Sequence, residues 1–211
     1  MPTDTWWNLP ADKRDRITKA AKVEFARRGF SAGSLNVISR DAGIAKGSLF
    51  QYFEDKLDLF STICDSASGQ VAAASLDGID IEHTPYFEAL HGIVTNWIRY
   101  FRKHPIERAI AFAAASEVDA DARAAVRSVT NDHYVGVFGP MAKRAADRGE
   151  LRNGVDTDQL VSMTVLLLRH LNTAPFYAHA DPILRLTEVS AREVDRISHE
   201  LIEVLDRGYR A

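Results

Sequence analysis

The sequence predicts an all-α protein: an N-terminal three-helix, helix-turn-helix domain over residues 10–55, followed by a larger helical domain over 56–211. Three observations carry this. Apolar residues recur at helical spacing through most of the chain, and no run alternates apolar and polar residues as a half-buried strand would. Glycines, prolines and capping residues punctuate the periodic runs. The first 55 residues divide into three such runs, with Gly43 between the second and third.

The first helix is expected over residues 11–28, with Ile17, Ala20, Ala21, Val23, Phe25 and Ala26 on its buried face and Gly29 at its C-terminal cap. Ser34 is placed to cap a second helix over 35–42, its hydroxyl accepting an early backbone N–H. Gly43 suits a tight turn with positive φ, and a short third helix follows over 45–52. Asp55 is the expected N-cap of a long helix starting at Lys56, with Asp58 near its positive end. Residues 77–84 read as a loop, Pro85 opens a helix to about 103, and His104-Pro105 marks the next boundary. Further helices are expected over 106–115, over 120–147 with a kink or break at Pro140, over 157–173 and over 191–207.

Composition narrows the function classes. Of 211 residues 46% are apolar and 26% charged, ordinary for a soluble globular protein. The longest strongly apolar run, 161–168, is too short to span a bilayer, and the N-terminus lacks the pattern of a secretory signal. Cys64 is the only cysteine, which excludes an internal disulfide and fits a reducing cytoplasm. Net charge is −3, which argues against indiscriminate nucleic-acid binding. Residues 1–60 nevertheless carry ten Lys/Arg against eight Asp/Glu, so the head is mildly basic on an acidic body.

The stretch "RDAGIAKGSLFQYFEDK" concentrates the functional signal. Ile38, Ala42, Ile44, Leu49 and Phe53 can hold the short helix against the first two, leaving Lys46, Ser48 and Gln51 outward. Those side chains match a major groove: Lys46 donates to guanine or phosphate, Ser48 to either, and Gln51 both donates and accepts at adenine. Lys56, at the start of the next helix, suits a phosphate oxygen.

"RITKAAKVEFARRGF" and "SLNVISRDAGIAKGSLFQYFEDKLDLF" resemble the TetR family of bacterial transcriptional regulators over about residues 13–60. The resemblance implies an all-helical homodimer with an N-terminal DNA-binding domain and a C-terminal domain for dimerisation and ligand binding. By motif position it assigns Lys46, Gly47, Ser48, Phe50, Gln51 and Tyr52 to the recognition helix. It places Ser34 and Asn36 where phosphate or base is often reached, and makes Lys56 the backbone-gripping lysine. Phe50 stands where tyrosine is common and Ala45 where Ser or Thr often caps the helix, a loss of about 1 kcal/mol.

A symmetric dimer would set two recognition helices in successive major grooves of a pseudo-palindromic operator. "LVSMTVLLL" is apolar almost all round, and the last helix carries an apolar stripe. The expected interface is therefore Leu160, Met163, Leu167 and Leu171 with Val194, Ile197, Leu201, Val204 and Leu205. Trp97, Tyr100, Phe101, Phe112, Tyr134, Phe138 and Met141 cluster in the middle helices, with His170 as a polar group. They fit a small, mostly hydrophobic effector that the resemblance implies.

One Glu88-x-x-His91 pair is the sole metal-like spacing, so neither metal nor cofactor is expected. No phosphate loop appears and Cys64 has no histidine beside it, which argues against an enzyme. The reading is a repressor released by its effector; a helical ligand-binding or scaffold protein with lost DNA affinity is the alternative. Trp6 and Trp7 are left as either an anchor for the N-terminal arm or an exposed tail.

Overall fold

The computed structural model describes residues 2–211, among which helices account for nearly all regular structure. In order these are α1 (Asp4–Trp7), α2 (Ala11–Ala32), α3 (Leu35–Ala42), α4 (Lys46–Tyr52), α5 (Lys56–Ser75), α6 (Tyr86–Lys103), α7 (Pro105–Ser116), α8 (Ala120–Asp147), α9 (Thr157–Leu171) and α10 (Ala191–Tyr209), with one 3-10 turn at Ala178–Ala180. The chain divides into two compact units. One holds the residues up to Gln70 with His104–Asn131, the other Val71–Lys103 with Asp132–Ala211. The first unit is therefore larger than the 10–55 segment that the motif alone delimits.

In the first unit, Ile17, Ala21 and Phe25 of α2 pack with Ile38 and Ala42 of α3, Leu49 of α4, Leu59, Phe60 and Ile63 of α5 and Ile110 of α7. Each fully buried Leu, Ile or Phe contributes about 1.5–3 kcal/mol. Phe25 and Phe60 meet edge-on with ring centroids 4.9 Å apart. α2 is interrupted at Gly29, whose φ of 66° and ψ of −170° end the regular helix before a last turn to Ala32. The break leaves the Phe30 and Ser31 N–H groups without helical partners, and the Glu117 carboxylate receives both. At Gly33 a β-carbon would lie 2.7 Å from the Gly29 carbonyl oxygen, so the chain passes there only as glycine. α5 starts as the sequence predicts: the Asp58 N–H donates to Asp55 Oδ1 at 2.8 Å.

In the second unit, Leu90, Ile93 and Val94 of α6 pack with Phe138 and Met141 of α8, Leu160 and Leu168 of α9, and Val194 and Ile202 of α10. Tyr86 and Thr164 share a buried hydroxyl–hydroxyl bond of 2.8 Å. The loop before α6 is held by its neighbours: Asn96 donates to the Ser75 and Asp77 carbonyls, and Arg144 to the Ile81 carbonyl. Asp156 and Ser190 cap α9 and α10 through their side chains. Of the kink or break expected at Pro140, the break does not occur: α8 continues through it to Asp147. α1 and the 3-10 turn are the elements that helical periodicity missed, each being too short to show one.

Candidate nucleic-acid interface

α3 and α4 meet at Gly43, whose φ of 68° lies in the left-handed region. The Gly43 N–H returns to the Arg40 carbonyl and the Ile44 N–H to that of Ser39, closing the turn. Ser34 caps α3 as expected, its hydroxyl accepting the Val37 N–H at 3.5 Å, while its own N–H donates to the buried Glu24 carboxylate at 3.0 Å. Asn36 is exposed beside it.

α4 turns Leu49 and Tyr52 inward and leaves Lys46, Gly47, Phe50 and Gln51 exposed, with Ser48 half-buried. The outward positions i, i+1, i+4 and i+5 share one face of the helix. Phe50 is 51% exposed, so it is not a core residue; an outward aromatic there suits a thymine methyl. Around Gly47 an added β-carbon would meet nothing within 4 Å. The fold does not require glycine at that position. As the sequence indicates, Ala45 gives α4 no side-chain cap.

Two residues of the expected interface are placed otherwise. Tyr52 is only 3% exposed, because Trp6 covers it at 6.2 Å between ring centroids and Leu49 turns the same face inward. The Lys56 ammonium is spent on the protein itself: it donates to the Ser31 and Gly33 carbonyls at 3.3 and 3.4 Å and lies 4.4 Å from the Phe30 ring centroid. These carbonyls lie at and just beyond the C-terminal end of α2, where no following helical turn donates to them. Trp6 is thus an anchor, while Trp7 next to it is 60% exposed.

Of the expected effector residues, Phe101, Phe138 and Met141 belong to the core of the second unit. Trp97 stacks on Tyr134 with centroids 5.7 Å apart and meets Phe101 edge-on. Tyr100 is half-buried beside Phe101, and Phe112 lies on α7, in the first unit. Asn172, which sequence reasoning missed, donates to the Tyr134 hydroxyl at 3.3 Å. The Trp97 indole N–H and the Asn172 Oδ1 are buried without partners. His170 is paired with the buried Asp181 at 2.9 Å. Burial opposes the charge of Asp181, but the Leu184 and Ile183 N–H groups and His170 outweigh it and lower its pKa. Cys64 is buried, and burial, then Asp65, pushes its thiol far up.

Of the expected interface residues, Leu160, Leu171, Val194 and Leu205 are buried in the chain's own core rather than exposed. Helical periodicity marks an apolar face without saying what covers it. The outward apolar residues are Met163, Leu166 and Val204, with Leu167, Ile197 and Leu201 half-buried. Leu166 belongs to the same apolar run as Met163, so its signal was present. Among the described residues no group of three His, Cys, Asp or Glu side chains converges as metal ligands; His91 instead packs against His199 at 4.3 Å.

This geometry defines the class: an all-helical protein with an N-terminal helix-turn-helix whose second helix shows a polar and aromatic face. Residues 17–63 match the model for bacterial regulatory proteins of the tetR family. Over 57 residues the chain is 39% identical to the HTH-type transcriptional repressor BepR of Brucella suis biovar 1 (strain 1330). That stretch is 27% of this chain and 27% of BepR, so the chain spans about a quarter of that curated relative. A solved TetR family transcriptional regulator from Chloroflexus aurantiacus J-10-fl covers 100% of the chain, and 99% of its own, with a TM-score of 0.66 at 25% identity. FadR from Bacillus subtilis, solved in complex with stearoyl-CoA, shares the fold over 92% of the chain and 98% of its own, with a TM-score of 0.70 at 16% identity. Residues 17–63 thus carry the N-terminal domain of the tetR family, and the whole chain shares the fold of a TetR family transcriptional regulator.

Proposed function

We propose that this protein is a DNA-binding transcriptional regulator, a homodimeric repressor that leaves a pseudo-palindromic operator when a small, mostly hydrophobic effector binds. The outward face of α4 carries the reading: Lys46, Phe50 and Gln51 stand exposed on a helix whose other face is locked in the core. Lys46 supplies a donor to guanine or phosphate, Gln51 a donor–acceptor pair for adenine and Phe50 an apolar contact to thymine. Asn36, exposed beside the Ser34 cap at the start of α3, supplies a polar group for backbone contacts in this reading. Few base contacts per head call for two heads, spaced about 34–36 Å apart on successive major grooves.

Dimerisation is supported by the apolar stripe of Met163, Leu166 and Val204 on α9 and α10. The effector reading is supported by the Trp97–Tyr134–Asn172 cluster. Its indole N–H, phenol and amide offer more donors than acceptors whichever way the amide is turned. An apolar molecule bearing an acceptor oxygen complements that surplus. FadR, a protein of the same fold, binds stearoyl-CoA, which supports an effector with a large apolar part. By linkage, an effector that weakens DNA binding must itself be weakened by DNA to the same factor.

The test is fluorescence-anisotropy titration of the protein onto DNA from upstream of its own gene, against unrelated DNA, over a range of salt. Saturable, preferential binding that falls with salt is the expected result. Absence of binding to either DNA, after bound small molecules are removed, would favour the scaffold alternative.

A further inference from the structure

The residues ahead of the family-matched stretch pack on the proposed recognition helix. α4 has seven residues, too few to be stable by itself, and no side chain caps its start. At its other end the helical pattern leaves carbonyls without partners. Thr3 takes two of them: its hydroxyl donates to the Gln51 carbonyl at 2.8 Å, and its backbone N–H to the Tyr52 carbonyl at 2.9 Å. Three residues on, Trp6 is buried with its ring 4.8 Å from that of Phe53 and 6.2 Å from that of Tyr52. α1 is in turn fastened to α2, where Arg14 donates to the Trp7 carbonyl at 3.2 Å. Lys13 places its ammonium 5.5 Å from the Tyr52 ring centroid.

We propose that Thr3 and Trp6 are positioning residues for DNA recognition: α1 is a brace that fixes the end of α4 and so the orientation of Phe50 and Gln51. The inference rests on the DNA-binding reading above. Gln51 joins the two, since its side chain faces outward while its carbonyl is held by Thr3. Base readout requires side chains fixed to within about 0.5 Å, so a loosened α4 loses discrimination. Phosphate contacts carry no sequence information, so general affinity for DNA changes less.

The test uses the full chain as Thr3→Val, Thr3→Ser and Trp6→Leu, read by hydrogen exchange and by anisotropy against upstream and unrelated DNA. Thr3→Val is expected to speed exchange in residues 46–53 while leaving 160–171 unchanged. It should cut the preference for upstream DNA by about three- to tenfold, the effect of one net hydrogen bond. Thr3→Ser keeps the hydroxyl and should restore both readings; Trp6→Leu should act in the same direction as Thr3→Val. Unchanged exchange over 46–53 in both Thr3→Val and Trp6→Leu would overturn the brace, even with wild-type protein preferring its DNA. Exchange that rises equally throughout the first unit would overturn it too, reducing Trp6 to a core residue. Wild-type protein that binds neither DNA once bound small molecules are removed, with the local exchange response intact, would instead overturn the DNA-binding reading and the recognition role built on it.

Discussion

Ser31 Oγ donates to Glu117 Oε1 at 2.5 Å, joining residues 86 positions apart. The same carboxylate receives the Phe30, Ser31, Val118 and Asp119 N–H groups. One buried charge therefore closes both the break in α2 and the connection between α7 and α8. Glu117→Gln puts an NH₂ group among donors and is expected to destabilise the first unit by about 2 kcal/mol. Ser31→Ala removes one donor and should cost about 1 kcal/mol. Urea unfolding followed by hydrogen exchange of residues 30–42 checks both values. The pH dependence has a definite sign. Burial opposes the charge of Glu117, but Ser31 and the backbone N–H groups outweigh it and hold its pKa below the ordinary 4.5. Its stabilisation is thus complete above 4.5 and lost as pH falls through the lower folded value, so Glu117→Gln should flatten this acid limb.

A second acid response is expected at milder pH in the second unit. Burial first, and then the neighbouring His199, keep the His91 pKa below its ordinary 6.5; Glu203 and Asp206 pull the other way and Arg210 adds to the lowering. Its Nδ1 is buried without a partner. Folding favours the neutral ring, so its contribution is complete above pH 6.5 and falls as pH drops toward the folded pKa. The urea midpoint of the wild type should therefore decline as pH falls below about 6.5, and that of His91→Leu should decline less. Equal slopes in the two proteins would show that His91 is not the group responsible.

Gly47 allows stability and binding to be separated. Space around it is open and α4 needs no positive φ there, so Gly47→Ala should leave the fold intact and add up to about 1 kcal/mol of helix stability. A methyl on the exposed face at the start of the proposed recognition helix would nevertheless hold the backbone away from phosphate. DNA affinity should fall by at least about tenfold, 1.4 kcal/mol, while the melting temperature is unchanged or rises. Affinity equal to the wild type would show that DNA does not approach this backbone closely.

The legibility of the chain varied with sequence distance. Helices long enough for several turns of periodicity, and caps made within four residues, as at Ser34, Gly43 and Asp55, were readable because the partners are neighbours in sequence. α1 was not, since a four-residue helix carries no period. The position of Lys56 in the sequence points to phosphate, but the Ser31 and Gly33 carbonyls at the end of α2 claim its ammonium, and nothing local to Lys56 announces them. Glu117 and Asn172 were missed for the same reason: their partners, Ser31 and Tyr134, lie 86 and 38 residues away. On α9 and α10 the apolar pattern was read correctly as a pattern. It could not divide Leu160 and Val194, which face the protomer's core, from Val204, which faces out.

That division yields a prediction about assembly. Leu166 and Val204 are 59% and 66% exposed, so charging them should leave the protomer within about 0.5 kcal/mol of its stability. If their stripe is the dimer interface, Leu166→Glu with Val204→Glu should convert a dimer to monomers in sedimentation equilibrium and abolish high-affinity operator binding. Leu160→Ala is the contrasting case: the residue is fully buried, so the expected effect is a loss of about 2–5 kcal/mol of folding stability. A double variant that remains dimeric would place the interface elsewhere.

Lys46 and Lys56 should respond in opposite ways to the same substitution. Lys46 is exposed on the outward face of α4, whereas the Lys56 ammonium is engaged by two carbonyls and the Phe30 ring. If Lys46 contacts a phosphate, Lys46→Ala should weaken binding to upstream and unrelated DNA alike and lower the salt slope by about one. If it reads guanine, the loss should be about 1–3 kcal/mol and confined to one operator position. Lys56→Ala should behave as a folding variant, costing about 1 kcal/mol per hydrogen bond lost to the Ser31 and Gly33 carbonyls, with the salt slope unchanged. A Lys56→Ala protein of normal stability but reduced salt slope would mean that DNA draws this lysine away from the Gly29–Gly33 turn, and that the phosphate role implied by its position in the sequence is the one it performs when bound.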